Sequence, residues 1–382
     1  MRIVIAPDSF KECASALEVA EAVALGFRRI FPTAEILLSP MADGGEGTVD
    51  ALVAATGGSK LYAEVTGPVG EPVQAAYALL GDGETAVVEI AAASGLALVP
   101  RDRRDPRYTT SRGTGELIRC ALDAGVKRII VGLGGSGTND GGAGMAQALG
   151  YRLVDEAGED LPPGGAALSR LSRIDARGKY PRLDHCLLQV ACDVVNPLCG
   201  PHGASHTYGP QKGASPEAVE QLDAALRHFA AVIEAQLGVA VLDTPGAGAA
   251  GGLGAGLIAF TGAQLRPGVD LVAEAIGLSS QIAKADLVVT GEGRLDGQTI
   301  HGKTPAGVAR IARMHGVPVV AIAGALGKGY ETAYEAGISA TFSLCRSPMT
   351  LDEAIARTLP LLSETAEAVA RLWMAGRTMH EA

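Results

Sequence analysis

The sequence predicts an α/β fold of two α/β domains: a doubly wound Rossmann-like lobe made from both ends of the chain, and a mixed α/β domain inserted into it. Three observations carry this expectation. Near both ends, apolar runs of strand length alternate with longer segments of helical period, the pattern of parallel strands buried on both faces. In the middle, three strand-like runs follow one another through G-P and G-D-G turns, too closely spaced for crossover helices. And 382 residues exceed one ordinary core. The boundaries expected are 1–60 plus 284–382 for the discontinuous lobe and 61–283 for the insert.

Element by element, RIVIAPDS is an unbroken apolar run ending in Pro-Asp-Ser, which predicts a first buried strand. SALEVAEAVALGFRRIF places Ala16, Val19, Ala20, Val23 and Phe27 on one helical side. AEILLSPMAD and GEGTVDALVAAT repeat the strand–helix pair. KLYAEVTGPVGEPVQAAYALLGDGETAVVEIA reads as three antiparallel strands. GELIRCALDAG is a helix, KRIIVGLGG and HCLLQVACDV are strands, and SPEAVEQLDAALRHFAAVIEAQLG is a long helix. The glycine-rich stretch 246–260 reads as a connection between helices. The β-α rhythm then resumes with strands DLVVTG, ending near Gly291, VPVVAIAG and ISATFSLC. Helices are expected at PAGVARIARMHG, at GYETAYEAG and from Leu351 to Met374.

Composition narrows the function. Hydrophobic residues make up 47% and charged ones 19%, as in soluble globular proteins. Aromatics are 4%, with Trp373 the single tryptophan, so the core must be aliphatic with close glycine contacts. A net charge of -10 argues against nucleic acid and anionic membranes as partners, although small anions need only a local cationic cluster. The six cysteines form no C-x-x-C, so a cytoplasmic enzyme with reduced thiols is expected. MRIVIAPDSF is a strand, not a signal peptide, and no segment reaches the about 18 apolar residues of a membrane span.

Two motifs invite nucleotide readings. GQTIHGKT (297–304) fits G-x-x-x-x-G-K-[ST], but a phosphate loop follows its strand directly, and a strand ending near Gly291 leaves EGRLD in between. GLGGSG (132–137) fits G-x-G-x-x-G, with Asp155 and Glu156 near 20 residues on, which supports an NAD-dependent oxidoreductase as the alternative function. Against it, GTNDGG is a longer and more polar loop than a dinucleotide turn. Cys199, His202 and His206 could approach a zinc site but lack a fourth ligand, and a solvent loop is the better reading.

Five strands end in polar, glycine-rich loops: PDSFK (Asp8, Ser9, Lys11), MADGGEGT (Asp43), GGSGTNDGG (Gly134, Gly135, Ser136, Thr138, Asn139, Asp140), CDVVNP (Asp193) and TGEGRLDGQTIHGKTP (Glu292, Arg294, Asp296, Lys303). Ligands of open α/β sheets bind at strand carboxyl ends. Carboxylates, cations and glycine N–H groups without a His- or Cys-centred nucleophile suit phosphoryl transfer. Lys212, in YGPQKGAS, joins Lys11, Arg294 and Lys303 as an expected anion contact.

Together the blocks APDSFK, MADGGEGT, GTGELI, GLGGSGTNDGGAGM, CDVVNPLCG, GPQKGAS and TGEGRLDGQTIHGKTPAGVA resemble the bacterial glycerate kinase type-1 family, in family order and over essentially the whole chain. Arg112 stands where an aromatic is common. The resemblance implies ATP-dependent phosphorylation of D-glycerate with magnesium (Mg2+), giving 2-phosphoglycerate, in a cleft between two α/β domains. On that footing Asp8, Lys11, Asp43 and Asp193 are the catalytic candidates, and Ser9, Lys11, Arg294 and Asp296 those for glycerate. Gly134, Gly135, Ser136, Thr138, Asn139 and Lys303 are the candidates for the nucleotide phosphates, and Asp140 or Asp193 for the metal. Oligomeric state stays open, a homodimer included.

Overall fold

The computed structural model describes residues 1–299 and 302–378. In chain order its strands are β1 (Arg2–Ile5), β2 (Glu35–Leu38), β3 (Ser59–Thr66), β4 (Pro72–Leu79), β5 (Thr85–Glu89), β6 (Arg128–Gly132), β7 (Arg152–Val154), β8 (Arg173–Asp175), β9 (Leu187–Ala191), β10 (Gln264–Arg266), β11 (Leu287–Leu295), β12 (Val319–Leu326) and β13 (Ala340–Ser343). Residues 1–43, 50–57 and 269–382 form one compact unit, and residues 44–49 and 58–268 the other.

The first unit carries a five-stranded sheet ordered β13-β12-β11-β1-β2, parallel throughout. Counted within the unit this is 2-1-3-4-5, the flavodoxin-type order among doubly wound sheets. The chain runs from β1 outward to one side and returns to the other at β11, so the connections leaving their carboxyl ends run to opposite sides and open a crevice. Ile3, Val4 and Ile5 are fully buried, as a strand covered on both faces requires. The helix Ala16–Ile30 starts at a capping box: Glu18 N–H donates to Ser15 Oγ, and Ser15 N–H donates to Glu18 Oε2. Its predicted face (Ala16, Val19, Ala20, Val23, Phe27) is buried. The C-terminal segment is split into helices Leu351–Ala356 and Thr358–Thr378. The second packs against Ala16–Ile30 at Gly26, where a Cβ would stand 2.2 Å from the Ser363 carbonyl oxygen, a distance no side chain tolerates.

The second unit holds a six-stranded sheet ordered β10-β9-β6-β5-β4-β3. Strands β3, β4 and β5 pair antiparallel, as their short turns predict, and the rest are parallel. One strand stands apart here and one expectation changes. Strand β7 does not join this sheet; it pairs antiparallel with β8 in a sheet of two. And the glycine-rich stretch 246–260 is not a plain connection: Ala249–Thr261 is a helix whose Ala250, Gly251 and Gly252 adopt left-handed geometry. Those glycines allow close backbone packing, since a Cβ on Gly251 would meet the Thr138 carbonyl oxygen at 2.0 Å.

Candidate active site

The crevice at the ends of β1 and β11 is a cavity of about 630 Å³. It brings together Asp8, Ser9, Lys11, Asp43, Arg294 and Lys303, all given roles from the sequence, and adds Glu292, which was given none. Every lining residue belongs to the first unit.

Asp8 follows β1 after the Ala-Pro step. Its Oδ1 accepts the Ser9 N–H (2.7 Å) and its Oδ2 accepts the Thr304 hydroxyl (2.6 Å). Burial raises the Asp8 pKa; the Thr304 and Ser9 hydrogen bonds oppose this, and the charge of Asp43 adds to it. Glu292 is buried on β11 with its Oε1 accepting the Thr299 hydroxyl (2.7 Å) and its Oε2 3.4 Å from Lys303 Nζ. Burial also raises its pKa, against the pull of Thr299 and Lys303. Arg294 Nε lies 3.2 Å from Asp296 Oδ2, so Asp296 anchors a cation and does not face a ligand alone. In the loop between Asp8 and Ala14, Glu12 is held at φ 64, in left-handed space that a glutamate enters at a cost of about 1–3 kcal/mol.

Glu292 was missing from the residues the sequence assigned to roles, because β11 was expected to end near Gly291. It continues to Leu295, since pairing with β12 persists through Glu292–Ala323, Arg294–Ala325 and Leu295–Leu326. The ladder itself thus aims Glu292 at the crevice. The same extension removes the objection to GQTIHGKT. Only Asp296 separates strand from Gly297, Lys303 is the N-cap residue of helix Thr304–Met314, and Pro305 sits in its first turn. Ile300 and His301 of that motif lie outside the described residues. What still sets it apart from a magnesium-type phosphate loop is that Thr304 donates to Asp8 and Lys303 faces Glu292.

Most of the side chains named in the GGSGTNDGG loop are buried. Gly134 and Gly135 are accessible, but Ser136, Thr138, Asn139 and Asp140 are buried, so they offer no open phosphate or metal site. Both Asp140 oxygens are engaged: Oδ2 accepts Ser111 N–H and Oγ–H and Gly144 N–H, and Oδ1 accepts Gly142 N–H. That carboxylate pins a turn and is not free to ligate. Asn139 Nδ2 donates to Ser205 Oγ. Lys212, expected as an anion contact, is 2% exposed, and its Nζ donates to Ser136 Oγ (2.8 Å) and the Thr138 carbonyl (2.7 Å). Burial lowers its pKa to about 7, with Asp140 opposing.

Elsewhere in the second unit, Asp193 is exposed beyond the end of β9, where its Oδ1 accepts Gly268 N–H. Gly44 (φ 90) packs there too: a Cβ would stand 2.3 Å from Ala191 Cβ, and its carbonyl oxygen lies 2.5 Å from the Cβ position of Gly132. The glycines after Asp43 thus have a packing role. Asp155, the ribose acid of the oxidoreductase reading, caps its own turn by accepting Ala157 and Glu159 N–H groups and lies off the parallel sheet. Burial pushes the Cys199 thiol up to about 12, and among the described residues no three His, Cys, Asp or Glu side chains could hold a metal, so the zinc reading has no support. No helix among them is long and apolar enough to cross a membrane.

A family model described as the glycerate kinase family matches residues 3–374. The chain is 52% identical over 379 residues to a protein named glycerate kinase from Bacillus subtilis (strain 168), covering 99% of each. It is 55% identical over 354 residues to one named glycerate 2-kinase from Escherichia coli (strain K12), covering 93% of each. A crystal structure described as that of a glycerate kinase 2 from Salmonella typhimurium LT2 matches with a TM-score of 0.91 at 54% identity, over 99% of both chains.

Proposed function

The chain belongs to the glycerate kinase family and is an ATP-dependent kinase that phosphorylates glycerate, and we propose that the crevice at β1 and β11 is where the phosphoryl group moves. One observation carries this reading: the Asp8–Thr304 and Glu292–Lys303 pairs stand together at the topological switch point of a parallel sheet.

In this proposal Lys11 and Arg294 take the glycerate carboxylate, as an exposed point charge and a planar fork beside the pocket, with Ser9 next to them. Asp8 accepts the proton of the C2 hydroxyl. The new O–P bond forms as the bond from the γ-phosphorus to the bridging oxygen breaks, and that electron pair leaves with ADP. A carboxyl whose pKa is raised by burial is, in its ionised form, a better proton acceptor than an ordinary one. Lys303 and the N–H groups opening helix Thr304–Met314 draw off developing charge.

The oxygen donors of Asp8 and Asp43 suit Mg2+, which usually takes one or two carboxylates and completes its shell with phosphates and water. When bound, the ion neutralises phosphate charge; Asp43 is the residue we assign to it. Exposed Asp193 and the accessible Gly134–Gly135 turn belong to the second unit. A cytoplasmic location is supported by the free cysteines.

Transfer to the 2-hydroxyl is supported by the relative named glycerate 2-kinase. Phosphorus NMR of the product from D-glycerate, ATP and magnesium tests it: 2-phosphoglycerate is expected, and the 3-isomer would overturn the regiochemistry. Asp8→Asn should lose about 10²–10⁴-fold in kcat while still binding ADP. Near-normal turnover would remove Asp8 from the mechanism.

A further inference from the structure

The proposed chemistry uses only half of the crevice. Beyond the charged floor its wall is apolar, formed by Phe10, Leu344, Met349, Leu351, Ala354 and Ile355. Glycerate has three carbons, each bearing oxygen, and gains nothing from such a wall. The volume of about 630 Å³ is that of a site for a ligand several times larger. Leu351 is 75% exposed at the rim, an uncovered apolar group beside a polar floor.

The wall's two threonine hydroxyls serve the backbone of its own helices. Thr350 Oγ1 accepts Glu353 N–H as a helix cap, and Thr358 Oγ1 donates to the carbonyls of Ala354 and Ile355. They are thereby drawn off from reading a ligand's edge, and the surface left is suited to the face of a flat ring. Of the two substrates, only ATP has such a part. The same crevice is lined by Glu292, Arg294 and Lys303, the last being the N-cap residue of helix Thr304–Met314, a cationic group at a helix N-terminus that suits phosphates.

We propose that this apolar wall seats the purine ring of ATP, with the triphosphate running toward Lys303, so that the first unit holds the whole nucleotide. The proposal rests on reading the crevice as the phosphoryl-transfer site. Recognition is by ring face and burial more than by base edge.

The test exploits two thiols of the same crevice, Cys13 and Cys345. Iodoacetamide labelling of the full-length enzyme is followed cysteine by cysteine by mass spectrometry, with Cys120, outside the crevice, as control. ADP and adenosine should each slow Cys345 labelling about fivefold or more at saturation, while D-glycerate alone should not. If calorimetry shows ADP bound but both thiols label as fast as before, the purine lies elsewhere and the proposal fails, with the transfer reading untouched. Loss of the transfer reading shows separately, as normal turnover in Asp8→Asn.

Ala354→Trp, which fills the wall, should raise the KM for ATP by about tenfold and leave the KM for glycerate and the binding of inorganic tripolyphosphate near wild type. A rise in the glycerate KM alone would overturn the assignment. Should that variant fail to fold, Ile355→Ala offers the same comparison by removing wall.

Discussion

At Asp8 opposing influences act on one carboxyl, and each can be removed singly. Burial and the charge of Asp43 raise its pKa, and the Thr304 hydroxyl lowers it. Thr304→Val deletes the lowering influence, so the pKa should climb further. A proton acceptor works only when ionised, so the acid limb of kcat/KM should move to higher pH, with activity on that limb falling. Asp43→Asn deletes a raising influence and should move the limb the opposite way, whatever it does to the plateau. Thr304→Ser keeps the hydroxyl and should restore the wild-type limb. A pH profile checks all three, and limbs that coincide would mean that Asp8 does not set them. Glu292 shows why charge placement alone is insufficient: its raised pKa comes mainly from burial, and Lys303 only moderates it.

Among the elements, the GGSGTNDGG loop is a structural knot, and Lys212 is its tie. Lys212→Met leaves Ser136 Oγ and the Thr138 carbonyl without their donor and should cost on the order of 1–3 kcal/mol at neutral pH. The lysine's folded pKa of about 7 lies below its unfolded value, so between those limits the unfolded chain binds more protons. Stability contributed at this site therefore rises with pH above 7. The wild-type advantage over Lys212→Met should widen from pH 7 to 9.5 in urea unfolding, and an advantage equal at both would mean the amine stays charged in the fold. This element also marks where sequence is legible. The apolar run of β1, the face of Ala16–Ile30 and the hairpins β3–β5 obey local periodicity, so they could be read directly. The extension of β11 depends on a ladder with β12, some 30 residues away. The burial of Thr138 and Asp140 depends on glycines 251 and 256, whose missing side chains admit a distant backbone. The residues at strand tips were identifiable as polar; which of them face solvent was decided by such nonlocal packing.

On the scale of the whole molecule, the sheet β13-β12-β11-β1-β2 draws every strand from the first unit, and so does every side chain lining the crevice. Its core cluster runs from Ile3 through Phe27 to Ala370 without using the insert. Those facts make a structural prediction about division of labour. A chain in which residues 58–268 are replaced by a flexible Gly/Ser linker of about 15 residues should fold cooperatively, because this core cluster draws on no residue of the insert. If the first unit alone holds the nucleotide, this protein should bind ADP within about tenfold of the intact enzyme. Its turnover of glycerate tests whether loops of the second unit, Asp193 and the Gly134–Gly135 turn among them, take part in the chemistry. Circular dichroism melting establishes the fold, calorimetry the ADP affinity and phosphorus NMR the turnover. A folded first unit without ADP affinity would show that the insert supplies nucleotide contacts; one that still makes phosphoglycerate would show that the insert's strand-end loops are dispensable to the chemistry, and that their polar residues serve packing alone.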